Sequence, residues 1–333
     1  MASIPDQRPG QAALPKKSKS VFREFQGIFG SFLRVLAGYV VLASIVALFE
    51  FPTHVDPVTR RQIPQASSDY YARIYSTSAE NSAETDSPDE YVDIARDAIE
   101  SLHMKDAIGQ FVKRYHLEDA KVLDVGSGTG YLQDQVEKYV GLDISSTAAR
   151  YYHKPYIEAS ATDMPIPDNE FDAAWTVFVL EHVPQPEQAL LEMRRVVKDG
   201  GILFVAPAWD CRPWFAEGYP VRTFSDLDLK GKVAKAAIPA LEFAPFQVLS
   251  RGIKRIALRV SHLGSGPTQL RYRLLEPNYE KYWMPDSDAL NDIDRDETLT
   301  WFTSRGDECL NCDEHSTLID EAPLVIRVNK SGE

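Results

Sequence analysis

Three glycines and an aspartate form the most chemically informative pattern in the sequence. The segment LDVGSGTGYL places Asp124 before Gly126, Gly128 and Gly130, directly after an apolar, β-branched run. Glycines on a strand-to-helix turn let the backbone approach a ligand closely, and a following helix start favours polar or anionic groups. The pattern indicates a nucleotide-like cofactor, with a purely structural tight turn as the alternative.

Two further carboxylates follow the next two predicted strands. Asp143 ends YVGLDIS, where an acid can accept hydrogen bonds from both hydroxyls of a ribose. Asp163 ends YIEASATDM, and with Met164 it suits an adenine amino group beside a soft apolar contact. Because ligands of open α/β sheets bind at the carboxyl ends of the strands, we expect Asp124, Asp143 and Asp163 to line one crevice.

The elements that would position these residues are strands alternating with helices. Five runs are predicted strands: KVLDVG, YVGLDIS, YIEASATDM, FDAAWTVFVLEHV and GILFVAPA. Between the last two, PEQALLEMRRVVKDGG has one apolar helical face and stops at two glycines. The alternation predicts an α/β fold with a doubly wound, mostly parallel sheet covered on both faces.

Residues 121–208 resemble class I S-adenosylmethionine-dependent methyltransferases of the small-molecule and quinone type. The resemblance rests on VLDVGSGTGYL, VGLDIS, ATDMPIPDNEFDAAWTVFVLEHV and LLEMRRVVKDGGILFVAP, with PLVIRVNK resembling the family's last strand. It implies a Rossmann-like sheet, S-adenosyl-L-methionine as cofactor and methyl transfer by in-line displacement. The cofactor-binding residues that it implies are Asp124, Gly126, Ser127, Gly128, Gly130, Asp143, Ile144, Asp163 and Met164.

The resemblance also assigns parts of the cofactor to this set. Residues 124–130 would surround the methionine part, and Asp143 would bind the ribose. Asp163 and Met164 would hold the adenine. A base helps the transfer only when the acceptor is a hydroxyl or a similar acid. Glu181 and His182, in LEHV, lie where the family's substrate cleft begins and are the candidate catalytic residues, with a structural role as the alternative.

An apolar segment precedes the predicted domain. Residues 1–26 predict a flexible basic tail, and residues 27–51 predict a transmembrane helix that includes Arg34. Roughly 23 residues reach about 34 Å as a helix, enough for a hydrocarbon core of about 30 Å. A cleaved targeting segment and a buried or interfacial helix are the alternatives.

The orientation of this segment is under two opposing influences. Four basic residues upstream outnumber Arg60 and Arg61 downstream, which favours the tail in the cytosol and the domain across the membrane. The family's methyl donor is a cytosolic metabolite, which favours the domain on the cytoplasmic side. We expect a single-pass protein whose domain faces the compartment that supplies the donor.

The rest of the chain divides into three predicted parts. Residues 52–86 are a linker, residues 87–208 with 300–333 are the methyltransferase domain, and residues 209–299 are a cap over the substrate side. The cap contains three aromatic residues that are candidates to line the substrate cleft: Tyr279, Tyr282 and Trp283.

Charge is distributed unevenly. The formal net charge of −13 disfavours a nucleic-acid partner, which would need a basic face. Residues 230–273 nevertheless carry nine basic residues and one acid. A solvated helix face, a surface for anionic lipid head groups and a site for a phosphorylated acceptor are the three interpretations of this segment.

Three cysteines are too few for a disulfide framework. Cys309 and Cys312, with His315 nearby, begin the spacing of a metal site, but the fourth ligand is missing from the pattern. Ordinary packing explains them better, and we predict no metal.

Together these features predict a membrane-tethered methyltransferase. Its acceptor would be a small or membrane-borne molecule, such as a lipid, a quinone-like compound or a lipid-linked sugar, and residues 27–51 with the basic segment 230–273 would contact the membrane. The alternative is a non-catalytic, membrane-anchored subunit that keeps the methyltransferase fold for a structural or assembly role.

Overall fold

The computed structural model describes most of the chain. Side chains are described from residue 29 onward in the range 17–57 and from residue 67 onward in the range 65–74. The described ranges are 17–57, 65–74, 96–264, 266–279, 284–315 and 317–331. Predicted features that lie outside them are the tail 1–16, the linker parts 58–64 and 75–86, the start of the predicted methyltransferase domain at 87–95, Tyr282 and Trp283.

A seven-stranded sheet forms the centre of the protein, in the order β3-β2-β1-β4-β5-β7-β6. Neighbouring strands from β3 to β5 are parallel, whereas β7 runs antiparallel to both β5 and β6. The five predicted strands and the predicted C-terminal strand are confirmed. The strands are β1 (Lys121–Val125), β2 (Lys138–Asp143), β3 (Tyr156–Glu158), β4 (Phe171–Val177), β5 (Val197–Ala206), β6 (Glu308–Cys309) and β7 (Leu324–Arg327).

Side chains of the central strands alternate between two hydrophobic layers because successive residues of a strand point to opposite faces. In β1, Leu123 belongs to one layer and Val122 to the other. Helices α5 (Pro186–Val196) and α9 (Arg295–Thr303) cover the first layer, and α4 (Met104–Arg114) covers the second. The expected covering of both sheet faces is therefore present, with residues 96–101 forming a further helical segment, α3, ahead of α4.

The predicted alternation of strands with helices is wrong for the first half of the sheet. The connections from β1 to β2 and from β2 to β3 contain only short 3₁₀ turns, at Gln133–Gln135 and Ala148–Tyr151. Seven residues, 131–137, separate the glycine loop from β2. So short a segment cannot recover the cost of helix nucleation.

The N-terminal helix α1 (Lys17–Phe49) is continuous and begins ten residues before the transmembrane segment predicted from residue 27. Within it, Phe29–Phe49 is long and apolar enough to cross a membrane, because 21 residues rise about 31 Å. Ala43 and Ala47 are buried against the domain, whereas most other described side chains of the helix are exposed. The helix thus touches the domain along one narrow stripe.

The described parts of the predicted linker dock onto the domain. His54 pairs with Tyr272 through backbone hydrogen bonds of 3.0 Å in each direction. The Asp56 carboxylate accepts the backbone N–H of Gln188 and the hydroxyl of Tyr272, each at 2.8 Å. Helix α2 (Gln65–Ile74) packs beside the turn after β2. These segments therefore contribute to the fold rather than only connecting its parts.

Three helices form the insertion between β5 and α9: α6 (Pro213–Ala216), α7 (Leu229–Leu241) and α8 (Ala244–Ser261). An N-cap starts α7, because the Asp228 carboxylate accepts the backbone N–H of Gly231 at 2.7 Å. Helix α8 packs against α1 on one side and α9 on another. The insertion therefore lies between the N-terminal helix and the sheet domain.

The basic residues of α8 are buried, and this corrects the sequence interpretation of the segment 230–273. Arg251 donates to Asp210 at 3.0 Å, Lys254 pairs with Asp210, and Arg255 pairs with Asp294 at 3.0 Å. For these three cations, the interpretation as a solvated helix face and the interpretation as a surface for lipid head groups are both wrong. Their partners lie on other segments of the chain, which a count of local charge does not register.

The Asp210 network predicts a large difference between buried and exposed ion pairs. Asp210→Asn should lower the free energy of unfolding by about 3 kcal/mol, because it leaves buried cations undercompensated. Glu308→Gln, which removes the exposed partner of Arg327, should cost less than about 1 kcal/mol. Denaturant titration of the full chain in detergent micelles measures both values, and equal losses would contradict the prediction.

Candidate functional site

The turn after β1 is built from glycines. Gly126, Gly128 and Gly130 have φ angles of 74°, 50° and 69°, a region that favours glycine. A Cβ at Gly126 would come within 2.3 Å of the Val179 side chain, so a larger residue does not fit there. The Gly126 N–H donates to the carbonyl of Leu142 at 2.7 Å, which holds the loop against the end of β2. The expected helix start after the loop is absent, so any backbone donors to a ligand belong to the loop itself.

Asp143 connects this loop to the second strand. One carboxylate oxygen accepts the N–H of Gly128 at 2.9 Å, and the other accepts the N–H of Ser145 at 3.0 Å. Burial raises the pKa of the Asp143 carboxyl above its ordinary value, and these backbone donors oppose the rise. A carboxylate has about four lone-pair positions, so each oxygen can still accept a further hydrogen bond from a ligand hydroxyl.

Asp124 does not share the crevice with Asp143. Its carboxylate accepts the hydroxyl of Tyr139 at 2.8 Å, and it does not line either of the two cavities described below. Burial raises the pKa of Asp124 to about 7. The expectation of three acidic strand ends in one crevice is therefore wrong, because Asp124 precedes the final residue of β1 and points into the layer that contains Tyr139.

Asp163 and Met164 also differ from the expectation. Strand β3 ends at Glu158, and Asp163 lies in a turn where its N–H donates to the carbonyl of Ser160 at 3.1 Å. The Asp163 side chain is exposed, and Met164 is buried in the hydrophobic core with its N–H donating to Glu192 at 2.8 Å. Neither residue lines the cavities, and the adjacent segment 159–161 does.

A small cavity of about 100 Å³ lies at the carboxyl ends of β1 and β2. Asp143 and Ile144 form one side, the segment 159–161 forms another, and Ser67 and Tyr71 of α2 close it. Three predicted cofactor residues, Gly126, Asp143 and Ile144, thus meet here. Sequence analysis missed the contribution of α2, whose short pattern gave no sign that it covers the site.

A larger cavity of about 490 Å³ adjoins the small one, since Gly126, Phe178 and His182 line both. The glycine-loop residues Ser127 and Gly128 also line it. Its remaining wall combines apolar side chains with Arg96 and three acids, and it includes Ile99, Leu102, Met104, Trp209, Asp286 and Asp288.

These residues fit a bound S-adenosylmethionine in shape and chemistry. A loop without side chains at Gly126 and Gly128 borders both cavities, and the buried Asp143 carboxylate keeps acceptor capacity at the small one. A ribose offers hydroxyl donors to such a carboxylate, and an adenine ring suits the narrow wall formed by 159–161 and Val179. The predicted residues Asp143, Ile144 and the glycine loop are brought together.

His182 stands where the two cavities meet, at the end of a 3₁₀ turn that follows β4. Its Nδ1 is 3.6 Å from Asp288, and its Nε2 is 3.8 Å from Glu181. Burial by itself would lower the pKa of His182, but the carboxylates of Asp288, Glu181 and Asp286 outweigh it and raise that pKa above its ordinary value. The arrangement favours a proton on the imidazole.

Glu181 lies behind His182 rather than in the cavity. It is fully buried, and its Oε1 accepts the N–H of Ala208 at 3.0 Å. Burial raises the pKa of Glu181 to about 7. Asn291 donates to the backbone carbonyls of Leu180 and Glu181 at 2.8 and 3.2 Å, which fixes the turn that carries His182. Glu181 therefore lies beside His182 and does not line either cavity.

Asp286 and Asp288 are functional candidates that sequence analysis did not identify individually. Tyr71 donates its hydroxyl to Asp288 at 2.9 Å, so α2 and the cap segment meet at His182. Burial raises the pKa of Asp286. The acidic composition of the cap was visible in the sequence, but nothing local indicated which acids would face His182.

The cysteine pattern has a different outcome. Cys309 and Cys312 form a disulfide, so their sulfurs are not free to ligate a metal. Cys211 is a free, buried thiol. Across the described residues, no cluster of His, Cys, Asp and Glu has the arrangement of a metal site.

Comparisons with known proteins agree with this geometry. Residues 123–205 match the model of the methyltransferase domain. A ubiquinone/menaquinone biosynthesis C-methyltransferase UbiE from Rhizobium meliloti is 31% identical over 185 residues, covering 49% of this chain and 70% of the relative. The UbiE of Hahella chejuensis is 32% identical over 133 residues, covering 34% of this chain and 53% of the relative. This chain thus spans about half the length of the Hahella relative.

Among solved structures, a SAM-dependent methyltransferase and possible histamine N-methyltransferase from Thermotoga maritima is 26% identical, with a TM-score of 0.30. The overlap covers 34% of this chain and 56% of that chain, and the fold assignment does not depend on it. The strand order and the Rhizobium match carry the conclusion: this chain belongs to the class I S-adenosylmethionine-dependent methyltransferase family, and its cofactor is S-adenosylmethionine.

Proposed function

We propose that the protein transfers the methyl group of S-adenosylmethionine to a small, membrane-borne acceptor of the quinone-like class. The observation that carries the proposal is the junction of the two cavities, where the glycine loop and His182 border the same space. The relatives, by their names, methylate carbon in ubiquinone and menaquinone biosynthesis, which favours a quinone-like ring over a lipid-linked sugar.

Each end of the cofactor has a place in this proposal. The methionine part would lie along Gly126 and Gly128, and the ribose would bind Asp143. We propose that the adenine packs against residues 159–161 instead of the buried side chain of Met164, with Asp163 beyond them at the exposed end of the segment. Asp124 would support the loop from below through Tyr139.

The cofactor supplies a methyl group already activated by its sulfonium. The protein's own contribution is to hold the acceptor in line and to exclude water. Apolar wall residues of the larger cavity suit an aromatic or prenylated acceptor, and they include Ile99, Leu102, Met104 and Trp209.

His182 would accept a proton from the acceptor. An acceptor hydroxyl, or a ring carbon conjugated with it, becomes a better nucleophile when the hydroxyl proton leaves, and a base in hydrogen-bond reach takes that proton. The resulting imidazolium would be stabilised by Asp288 and Asp286, with Glu181 behind it. In this proposal His182 is the catalytic base, and Asp288 and Glu181 are positioning residues.

We further propose that α1 anchors the protein in a membrane, with its domain on the side that supplies S-adenosylmethionine, the cytoplasmic side. The apolar stretch Phe29–Phe49 supports the anchor, and an ion pair of 3.1 Å between Glu50 and Arg212 ties its end to the domain. The difference between four upstream basic residues and two downstream arginines is a small charge bias. It does not outweigh the cytoplasmic location of the methyl donor in setting the orientation of α1.

The cofactor assignment predicts the effect of Asp143→Ala. S-adenosylmethionine affinity should fall at least about tenfold, because the ribose hydroxyls lose a charged acceptor. Isothermal titration of the full chain in detergent measures it, and Asp168→Ala, which removes an exposed carboxylate paired with Arg195, is the control that should bind normally. Unchanged binding by a folded Asp143→Ala protein would rule out this placement of the cofactor.

The same variant tests turnover in cells. A deletion strain should accumulate a metabolite lighter by one methyl group, and Asp143→Ala should fail to restore the methylated product. If this variant loses cofactor binding yet fully restores cellular function, the protein acts as a non-catalytic subunit and the proposed activity is wrong.

The His182 cluster predicts a directional pKa change. Asp288→Asn should lower the pKa of His182, because it removes a nearby negative charge that stabilises the imidazolium. Titration followed by NMR of the imidazole protons measures this, with Asp168→Asn as the matched variant far from the cluster. Because the neutral imidazole is the base, the acidic limb of the methylation rate should also move to lower pH. An upward or absent change in Asp288→Asn would contradict the charge arrangement.

The anchor predicts the effect of Val41→Asp. A carboxylate at the middle of the span costs about 2.5 to 3.5 kcal/mol on insertion, so the variant should shift from carbonate-resistant membranes to the soluble fraction. Val41→Leu should remain in the membrane fraction. Extraction of the unsubstituted chain by carbonate would show that α1 does not span a bilayer.

A further inference from the structure

Helix α8 is amphipathic, but its charged face points into the protein. Arg251, Lys254 and Arg255 are at most 9% exposed and pair with Asp210 and Asp294. In a water-soluble protein the charged side of a surface helix normally faces solvent. The polar face of this helix is instead occupied by the domain.

The outward face of the same helix is mainly apolar, with the half-exposed Arg259, which pairs with Asp296, beside it. Val248, Ile256 and Val260 are 41%, 54% and 60% exposed, and Leu263, just past the helix end, is 78% exposed. The last three follow each other at intervals of four and three residues, which places them along one stripe. Such a row of exposed branched side chains is unfavourable in water and favourable in lipid.

Helix α7 continues this apolar surface. Leu229 and Val233, one turn apart, are 79% and 64% exposed, and α7 packs against α8. The exposed residues Lys230 and Lys232 alternate with them. Long basic side chains beside an apolar stripe can extend towards lipid head groups while their stems stay in the apolar layer.

Helix α8 also packs against the apolar stretch of α1. Tyr39 of α1 meets Phe246 of α8 edge to face, with ring centroids 5.5 Å apart, and Ala43 and Ala47 are buried in the contact between α1 and the domain. Small side chains along this stripe let the two helices approach closely. A bilayer that surrounds α1 would therefore reach the neighbouring stripe of α8.

We propose that the outward apolar face of α7 and α8 lies in the lipid bilayer beside α1 as an interfacial platform. This inference rests on the proposed anchoring by α1. The attraction is apolar, and it replaces the anionic head-group surface that the basic composition of 230–273 had suggested.

The platform is connected directly to the substrate cavity. Trp209 lines the larger cavity, and the next residue, Asp210, holds Arg251 and Lys254 of α8. The helix at the lipid surface is thus fixed to the wall that an acceptor would contact. This places the cavity close to the layer where a membrane-borne acceptor resides.

Site-specific photo-crosslinking of the full chain in phosphatidylcholine vesicles tests the platform. p-Benzoylphenylalanine would replace Ile256 or Val260 on α8, Val41 on α1, or Lys113, an exposed residue of α4. We expect phospholipid adducts at 256 and 260 at yields similar to position 41 and about tenfold above position 113. Retained S-adenosylmethionine binding verifies the fold of each variant.

The other outcomes separate this inference from the anchor. Adducts at 41 without adducts at 256 and 260 overturn the platform and leave the anchor standing, whereas no adducts at 41 overturn the anchor as well. Crosslinks from 256 or 260 to a second copy show a dimer interface instead of lipid and overturn the platform. Adducts that form only with phosphatidylglycerol and disappear in high salt would show binding to anionic head groups and overturn the platform. We expect the adduct yields to be independent of phosphatidylglycerol and of salt.

Discussion

The pairing of buried charges around Asp210 is the constraint on which the arrangement of this protein depends. Asp210 follows Trp209 at the end of the segment that leaves β5, and it holds Arg251 and Lys254 of α8. A buried cation without its partner costs several kcal/mol, so α8 cannot move independently of this segment. Asp210 therefore fixes α8 to the segment that lines the larger cavity.

The cluster around His182 also depends on buried charges, but here the carboxylates outnumber the group that can carry a positive charge. Around Asp210, cations and carboxylates compensate each other, and the network is structural. Around His182, Asp286, Asp288 and Glu181 face a single imidazole, so the cluster is stabilised when the imidazole gains a proton. A group whose charge state is favoured but not permanently fixed can exchange a proton during a reaction, whereas a permanently charged arginine cannot.

Local patterns in the sequence predicted much of the fold and part of the site. The strands, the glycine loop and Asp143 follow from apolar runs and turn residues that are close in sequence. Met164 could not be placed in the same way, because its burial depends on packing against α5, where Glu192 accepts its N–H. Asp288 could not be identified from the sequence either, because its partner His182 lies in a distant part of the chain and no short spacing links them.

The segment 230–273 shows a more general limit of sequence patterns. Periodicity reveals that α8 has a charged face and an apolar face, but the same periodicity describes a helix with either face outward. The direction is decided by Asp210 and Asp294, which lie outside the helix and compensate its cations. Once those charges are neutralised inside the protein, the exposed side chains of the helix are mainly apolar, although Arg259 is also exposed. In the proposed arrangement lipid would accommodate such a surface, and an apolar acceptor dissolved in that lipid would reach the cavity without crossing water.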